Sequence, residues 1–356
     1  LAAAPRALRA ARPPRGGNDL MDELELLRGF RADLPSQPPT ARSAARRRVL
    51  RGVRPRRRAP RKTALALAVT VAAGGAAVAV LSGLDEGHVA PASATARQAL
   101  QRVAAVAERR AGPGVPRDDQ FFYVASEGTE MVTSIYGDGP HQSFSYLYTK
   151  RREIWLSVDR TGELRDRQVG PVRWVTPADR RDWVAKGRPS VTAGQSRPMH
   201  MPAVHGYHLG EERLTSAQLR AYDPTPQELF DRLRARVGDA GQSPNGEIFV
   251  QIADALRESP QPPRLRATLY RALALVPGVQ FLGNVHDRLG RAAVGVAYTE
   301  HTGLRQELLF DPETSEVLNE RQVVVHPVQG LKARVGTAIE DIVYTKRAVT
   351  DATVRP

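Results

Sequence analysis

From Ala64 to Leu84 the chain runs 21 residues without a charge, and eleven Lys and Arg between Arg42 and Lys62 stop immediately before it. As a helix this run spans about 32 Å, against roughly 30 Å of bilayer hydrocarbon. It has no polar face, unlike an amphipathic helix at the edge of a globular core. It exceeds the roughly 7–15 apolar residues of a signal-peptide core and follows a long basic arm. A retained transmembrane helix over 64–84 is therefore expected, with cleavage at Ala92-Ser93-Ala94 as the alternative. Asp85 and Glu86 follow the run, so the positive-inside bias puts the N-terminus in the cytoplasm and residues 85–356 outside.

Charge is unevenly spread. The chain carries 52 Lys+Arg against 38 Asp+Glu, net +14, and residues 1–62 hold 17 of the former and 5 of the latter. The arm thus accounts for +12 and the remainder is nearly balanced. The basic run reads as a topology signal that also meets anionic headgroups of the cell membrane. No aromatic interleaves the arginines between Arg42 and Lys62 to stack bases, so no nucleic-acid partner is expected. Zero Cys excludes a disulfide scaffold, a thiolate metal site and a cysteine nucleophile.

Residues 1–20 are Ala/Arg/Pro-rich without periodicity, and translation is expected to begin at Met21, making 1–20 upstream mistranslation. Leu24, Leu27, Phe30 and Leu34 then recur at helical spacing, with acids in the first turn and Pro35 as a stop. Residues 21–63 read as a cytoplasmic amphipathic helix on a basic tether. That helix either lies on the membrane or offers those four residues to a cytoplasmic partner.

After a linker over 85–94, residues 95–356 read as an extracytoplasmic α+β domain. Ala99, Leu100, Val103, Val106 and Ala107 predict a helix. Five strands are expected over 121–126, 130–136, 143–149, 153–158 and 163–169, with Asp159-Arg160-Thr161-Gly162 as a hairpin turn. A short helix is expected from Pro177, and loop over 187–210. Three helices follow: one from Thr225-Pro226, one capped by Asn245, and one over 263–278. In the last, Leu265, Leu269, Leu273 and Val276 form one stripe, which should leave Arg264, Arg266 and Arg271 facing away. A second β region closes the chain, from Val279 to a last strand over 339–344. Its hairpin around Asp311 echoes the one around Asp159, which suggests one curved antiparallel sheet, or two similar sheets, with helices on one face.

The stretches MDEL at Met21, LLR at Leu26, RADLP at Arg31, PRLRATLYRALALVPG at Pro263, DRLGRAAVGV at Asp287 and GLRQELLFDPETSEVLNER at Gly303 carry a resemblance. The chain resembles an actinobacterial family of single-pass membrane proteins often encoded beside extracytoplasmic-function sigma factors, a family with no assigned activity. The likeness covers the layout of nearly all of 21–356. It departs at Tyr222-Asp223-Pro224-Thr225, where the family tends towards Leu-Pro-Thr-Asp-Pro. It implies membrane topology and a sigma-factor partner for the N-terminal helix. More loosely, the domain is similar to lipoprotein-carrier and sigma-regulator sensor domains, which implies a curved sheet with helices on its concave side.

Chemistry-bearing motifs are few. His200, His205 and His208, with Glu211 and Glu212, form the one metal-type cluster, but the spacing is not that of two imidazoles on one helix face and Pro202 breaks a helix. Solvated loop is the expected state, with no cofactor. Asp159 and Asp311 read as turn residues. Trp155, Trp174 and Trp183 with Phe121, Phe122 and Tyr123 read as packing. No nucleophile elbow, phosphate loop or dinucleotide fingerprint is present, so no enzymatic activity is expected. The expected function is a membrane-anchored envelope sensor or regulator that binds a lipid or protein outside and a sigma factor inside. The alternative is a non-signalling envelope lipid-binding or assembly protein.

Overall fold

A computed structural model describes residues 91–136, 143–191, 198–210, 212–237 and 243–356. The arm, the helix carrying Leu24, Leu27, Phe30 and Leu34, the apolar run 64–84 and most of the linker lie outside the described residues. Among the described residues no helix is long and apolar enough to cross a membrane.

Ser93 Oγ accepts the Ala96 amide at 3.1 Å and starts α1 (Ala94–Arg109). The chain then enters β1 (Phe121–Ile135), β2 (Ser143–Leu156), β3 (Gly162–Gln168) and the short β4 (Arg173–Trp174). Helix α2 (Pro177–Ala185) follows, opened by a Thr176–Asp179 capping box. Three short strands come next: β5 (Met199–Met201), β6 (Tyr207–Leu209) and β7 (Glu212–Leu214). The helical run comprises α3 (Ser216–Ala221), α4 (Pro226–Val237), α5 (Pro244–Glu258) and α6 (Pro263–Leu273). Strands β8 (Gln280–His286), β9 (Ala292–Thr299), β10 (Leu304–Phe310), β11 (Val317–Val324) and β12 (Ala338–Thr350) end it.

The two β regions merge into one antiparallel sheet, ordered β5-β3-β2-β1-β12-β11-β10-β9-β8, with β4 on β2. The join is the pair β1–β12, and it explains why β12 is longer than the expected 339–344. Residues up to Thr350 find hydrogen-bond partners along β1, Phe121 opposite Thr350. The fold is thus α+β with a large antiparallel sheet.

Five expected strands in the first region prove to be three. The gap between the expected 121–126 and 130–136 closes: Gly128 sits inside β1, where a Cβ would lie 2.9 Å from Ile342 Cγ1 on β12. The expected 143–149 and 153–158 join likewise, since β2 runs through Lys150-Arg151-Arg152. Lys150 lies 3.2 Å from Glu130 on β1 and Arg152 pairs with Asp166 on β3 at 2.7 Å, so cross-strand carboxylates compensate the cations. The β2–β3 turn needs its glycine: a Cβ on Gly162 would sit 2.0 Å from the Trp155 carbonyl oxygen.

Two further expectations fail on capping. Helix α5 is capped by Ser243, whose Oγ accepts the Gly246 amide at 3.0 Å, with Pro244 in the first turn; Asn245 is already helical. Helix α3, unseen in the Tyr207–Tyr222 stretch, is opened by a Thr215–Gln218 capping box.

Even-numbered residues of β2 face the helices. Ile154 and Leu156 join the main core, and Phe144, Tyr146 and Tyr148 pack with Trp174 and Trp183 near α2. Odd-numbered Trp155 lies on the opposite face with Phe121 and Tyr123. There Val354 O accepts from its indole at 3.0 Å, and Arg355 holds Glu153 with two bonds of 2.6 Å. The aromatic residues are therefore packing residues, as expected.

Candidate functional site

The helix-covered face of the sheet is where a carrier of this layout would hold an apolar ligand. Here side chains fill it. Leu269 and Leu273 of α6, Ile248 and Ile252 of α5, and Val296, Leu308 and Phe310 of the sheet belong to one cluster, each with essentially no exposure. Tyr270 stands edge-on to Phe310 at 5.4 Å between ring centroids, and its phenol donates to the Ser315 carbonyl at 2.5 Å. Burial pushes that phenol far above its usual pKa, so it remains a donor.

A charged seam crosses this filled interior. Arg257 at the end of α5 is 4% exposed and pairs with Asp254, Glu258 and, across the core, Glu320 of β11. Burial alone would lower the Arg257 pKa, but Asp254, Glu320 and their neighbours outweigh it and raise it. Glu320 stands opposite Ile342 in the β11–β12 ladder and Leu308 in the β10–β11 ladder, both residues of the main core. Tyr344 donates to its carboxylate at 3.4 Å.

Next to that seam lies a cleft of about 20 Å³, lined by Pro113 and Phe122 on one side and Ser315, Glu316 and Val317 on another, with Arg266 and Arg347 among its walls. Arg347 reaches it because of a β-bulge. Ser126 pairs with Tyr344 but Ala125 with Lys346, so Thr345 is extra and the alternation flips. Arg347 then stands opposite Val124 on the helix-covered face, with its guanidinium 4.6 Å from the Tyr344 ring centroid. Arg347 Nε donates to Arg257 O at 3.3 Å and Nη1 to Val317 O at 3.0 Å. Burial holds the Arg347 pKa below its ordinary value; Glu316, then Tyr344 and Tyr270, offset this only in part, and the Arg266 charge adds a smaller lowering.

Arg266 corrects an expectation. It does not face away from the apolar stripe: it is 5% exposed, and Nη2 donates to the Arg110 carbonyl at 2.7 Å. Helix α6 packs against α1, α4 and α5 as well as the sheet. A helix surrounded on that many sides buries its polar face too. Arg264 is exposed as expected, while Arg271 is part-buried and donates to Glu108 on α1 at 2.6 Å.

The histidine cluster disperses. His200 lies exposed on β5 and His205 on a turn with φ +53°, while both ring nitrogens of His208 on β6 are buried without a partner among the described residues. Glu211 lies outside the described residues, and Glu212 pairs with Arg236 of α4. Among the described residues no group of three His, Asp or Glu side chains is placed to hold a metal ion. The hairpin Tyr207–Leu214 separates the imidazoles by turning His208 under α5, where Ser259 holds its carbonyl.

Burial lowers the His208 pKa to about 4, with Arg213 adding to the effect. The folded state thus excludes a proton that the unfolded chain binds near pH 6.5. The contribution of His208 to stability is complete above about pH 6.5, declines as pH falls, and is exhausted near pH 4. In denaturant titrations at pH 7.5, 6 and 4.5, His208→Gln is expected to lose less stability than the parent chain between the first and last. Parallel declines would refute the shift.

Arg257, Glu320, Arg266 and Arg347 carry no signal in the sequence. Each is one charge in an ordinary amphipathic or alternating pattern, and in β12 the bulge that turns Arg347 inward has no motif.

No protein-family model and no curated protein matches the sequence. Among solved structures the chain is similar to MucB in complex with MucA(peri), at 13% identity over 71% of this chain and 55% of that one, TM-score 0.20. The MucA/MucB complex of Pseudomonas aeruginosa gives 12% identity over 72% and 57%, TM-score 0.21. A LolA superfamily protein from Nitrosomonas europaea gives 11% over 70% and 92%, TM-score 0.14. The chain spans little more than half the length of the MucB chains in these two complexes, and the α+β assignment rests on its own strand order and helices.

Proposed function

We propose that this chain is a membrane-anchored envelope regulator that works by binding and not by catalysis. Its N-terminal helix, through Leu24, Leu27, Phe30 and Leu34, engages a cytoplasmic sigma factor. The run 64–84 crosses the cell membrane once, and the α+β domain outside meets an envelope protein at its surface. The observation that carries the choice between a regulator and a lipid carrier is the filled helix–sheet interior. Leu269, Leu273, Val296, Leu308 and Phe310 occupy the space an acyl chain would need. The sequence layout supports the remainder: eleven basic residues before the apolar run, two acids after it, and a resemblance to proteins encoded beside sigma factors.

The reading is tested in a bacterial two-hybrid assay of the full chain against the sigma factors of its own genome. One sigma factor should score, and the double variant Leu27→Asp/Phe30→Asp should abolish the signal at unchanged abundance in the membrane. No interacting sigma factor, or a signal indifferent to the double variant, overturns the regulator reading. Stoichiometric lipid released from the purified chain would instead favour an envelope lipid carrier.

A further inference from the structure

The cleft beside the buried ionic seam holds two guanidinium groups whose hydrogen bonds are incompletely used. Arg266 spends Nη2 on the Arg110 carbonyl, and Arg347 spends Nε and Nη1 on the carbonyls of Arg257 and Val317. Arg266 Nε and Arg347 Nη2 are both buried and have no partner among the described residues. An unsatisfied buried donor is costly, and more so on a charged group, so native structures place a partner there.

Charge gives the same answer. Arg257 next door already has three acids, Asp254, Glu258 and Glu320, as partners. Arg266 and Arg347 share the cleft with one acid, Glu316, whose carboxylate stands 3.9 Å from Arg347 Nη1 with 36% of its side chain exposed. Asp311 is engaged in its own turn, accepting the Glu313 and Thr314 amides at 2.7 and 3.2 Å. Tyr270 is engaged with Ser315. Among the residues that line the cleft, two buried cations thus face one part-exposed acid, and one negative charge would balance the lining itself.

Size decides what supplies that charge. A volume of about 20 Å³ holds one water-sized species. A halide or one end of a carboxylate is of that size, and a tetrahedral dianion is larger. Water would occupy the donors but leave the charge.

We propose that the cleft between Arg266 and Arg347 is a binding site for a monovalent anion, chloride or the carboxylate of a small acid, bound by Arg266 Nε and Arg347 Nη2. The site stands on geometry independent of the regulator reading and survives its failure. Occupied, it ties α6 to the bulged end of β12 and so joins the helical layer to the seam of the sheet.

The test uses the purified full chain in detergent at fixed pH and ionic strength, with sulfate as the background anion. Exchanging sulfate for chloride, and separately for acetate, is expected to raise the unfolding midpoint saturably by about 3–8 °C once either ion exceeds its Kd 10–100-fold. Chloride-35 NMR should show excess line broadening that saturates and that acetate displaces. Broadening identifies the halide as an occupant; a shift with acetate and none with chloride identifies the carboxylate. Arg347→Gln should remove both effects, and Arg264→Gln, with 79% of its side chain exposed, should keep them. If Arg347→Gln does not fold, the parent chain still decides. No saturable midpoint shift with either ion and no chloride broadening overturns the site and leaves water in the cleft. Effects unchanged in a folded Arg347→Gln chain overturn the assignment to this cleft.

Discussion

Arg257→Ala is expected to destabilise the domain by about 3–5 kcal/mol. The cost arises less from the lost attraction than from what stays behind. Glu320 is buried among Leu308, Ile342 and Tyr344, and without the guanidinium its charge has only the Tyr344 phenol at 3.4 Å. Asp254 and Glu258 each lose one ion pair as well, but both reach water and lose less. The double variant Arg257→Met/Glu320→Gln should therefore be more stable than Arg257→Ala, because an apolar side chain and a neutral amide leave no uncompensated charge across the core. A double-mutant cycle in urea measures this. Additive losses would show that Arg257 and Glu320 are not coupled, and with that the seam between α5 and β11 would lose its physical basis.

Helix α6 gives the second large effect. Leu269→Ala should cost about 2–5 kcal/mol, since Leu269 is fully buried and its neighbours are held by helices on several sides, leaving a cavity that cannot collapse. Arg266→Ala should cost about 1–3 kcal/mol, because it removes a buried guanidinium's hydrogen bond to the Arg110 carbonyl and empties one wall of the cleft. Arg264→Ala, in the first turn of α6 and paired with exposed Asp223 at 3.6 Å, should stay within about 0.5 kcal/mol. Denaturant titration of the three variants checks the ranking. Equal small losses at Arg264 and Arg266 would return Arg266 to the surface.

Local physics made much of the fold legible. Helices α1, α4, α5 and α6 were readable because the apolar residues of each recur with a period near 3.6, and α4 and α6 also carry a Pro at the start. Thr176–Asp179 and Thr225–Glu228 are short-range pairs, visible three residues apart, and Glu228 does reach the Thr225 amide at 2.8 Å. Asp287 could be read as a turn residue because its job is local: its carboxylate takes the Leu289 and Arg291 amides, both at 2.9 Å. Strand boundaries were less legible wherever the compensating partner lay on another strand. Lys150 and Arg152 look like a break until Glu130 and Asp166 are beside them.

The sequence by itself determined the charge asymmetry, the apolar run, and the existence and order of the longer helices and of the two β regions, because those depend on neighbours a few residues apart. Tertiary structure alone decided that two β regions close into one sheet, since β1 and β12 meet across more than 200 residues. It alone decided that α6 is enclosed, that the histidines disperse, and that Arg347 turns inward. A bulge of one residue reverses the phase of a strand, and a helix's burial depends on how many elements gather around it. Neither quantity is written in the residues of the element itself, so the cleft between Arg266 and Arg347 exists only once the sheet and helices are assembled.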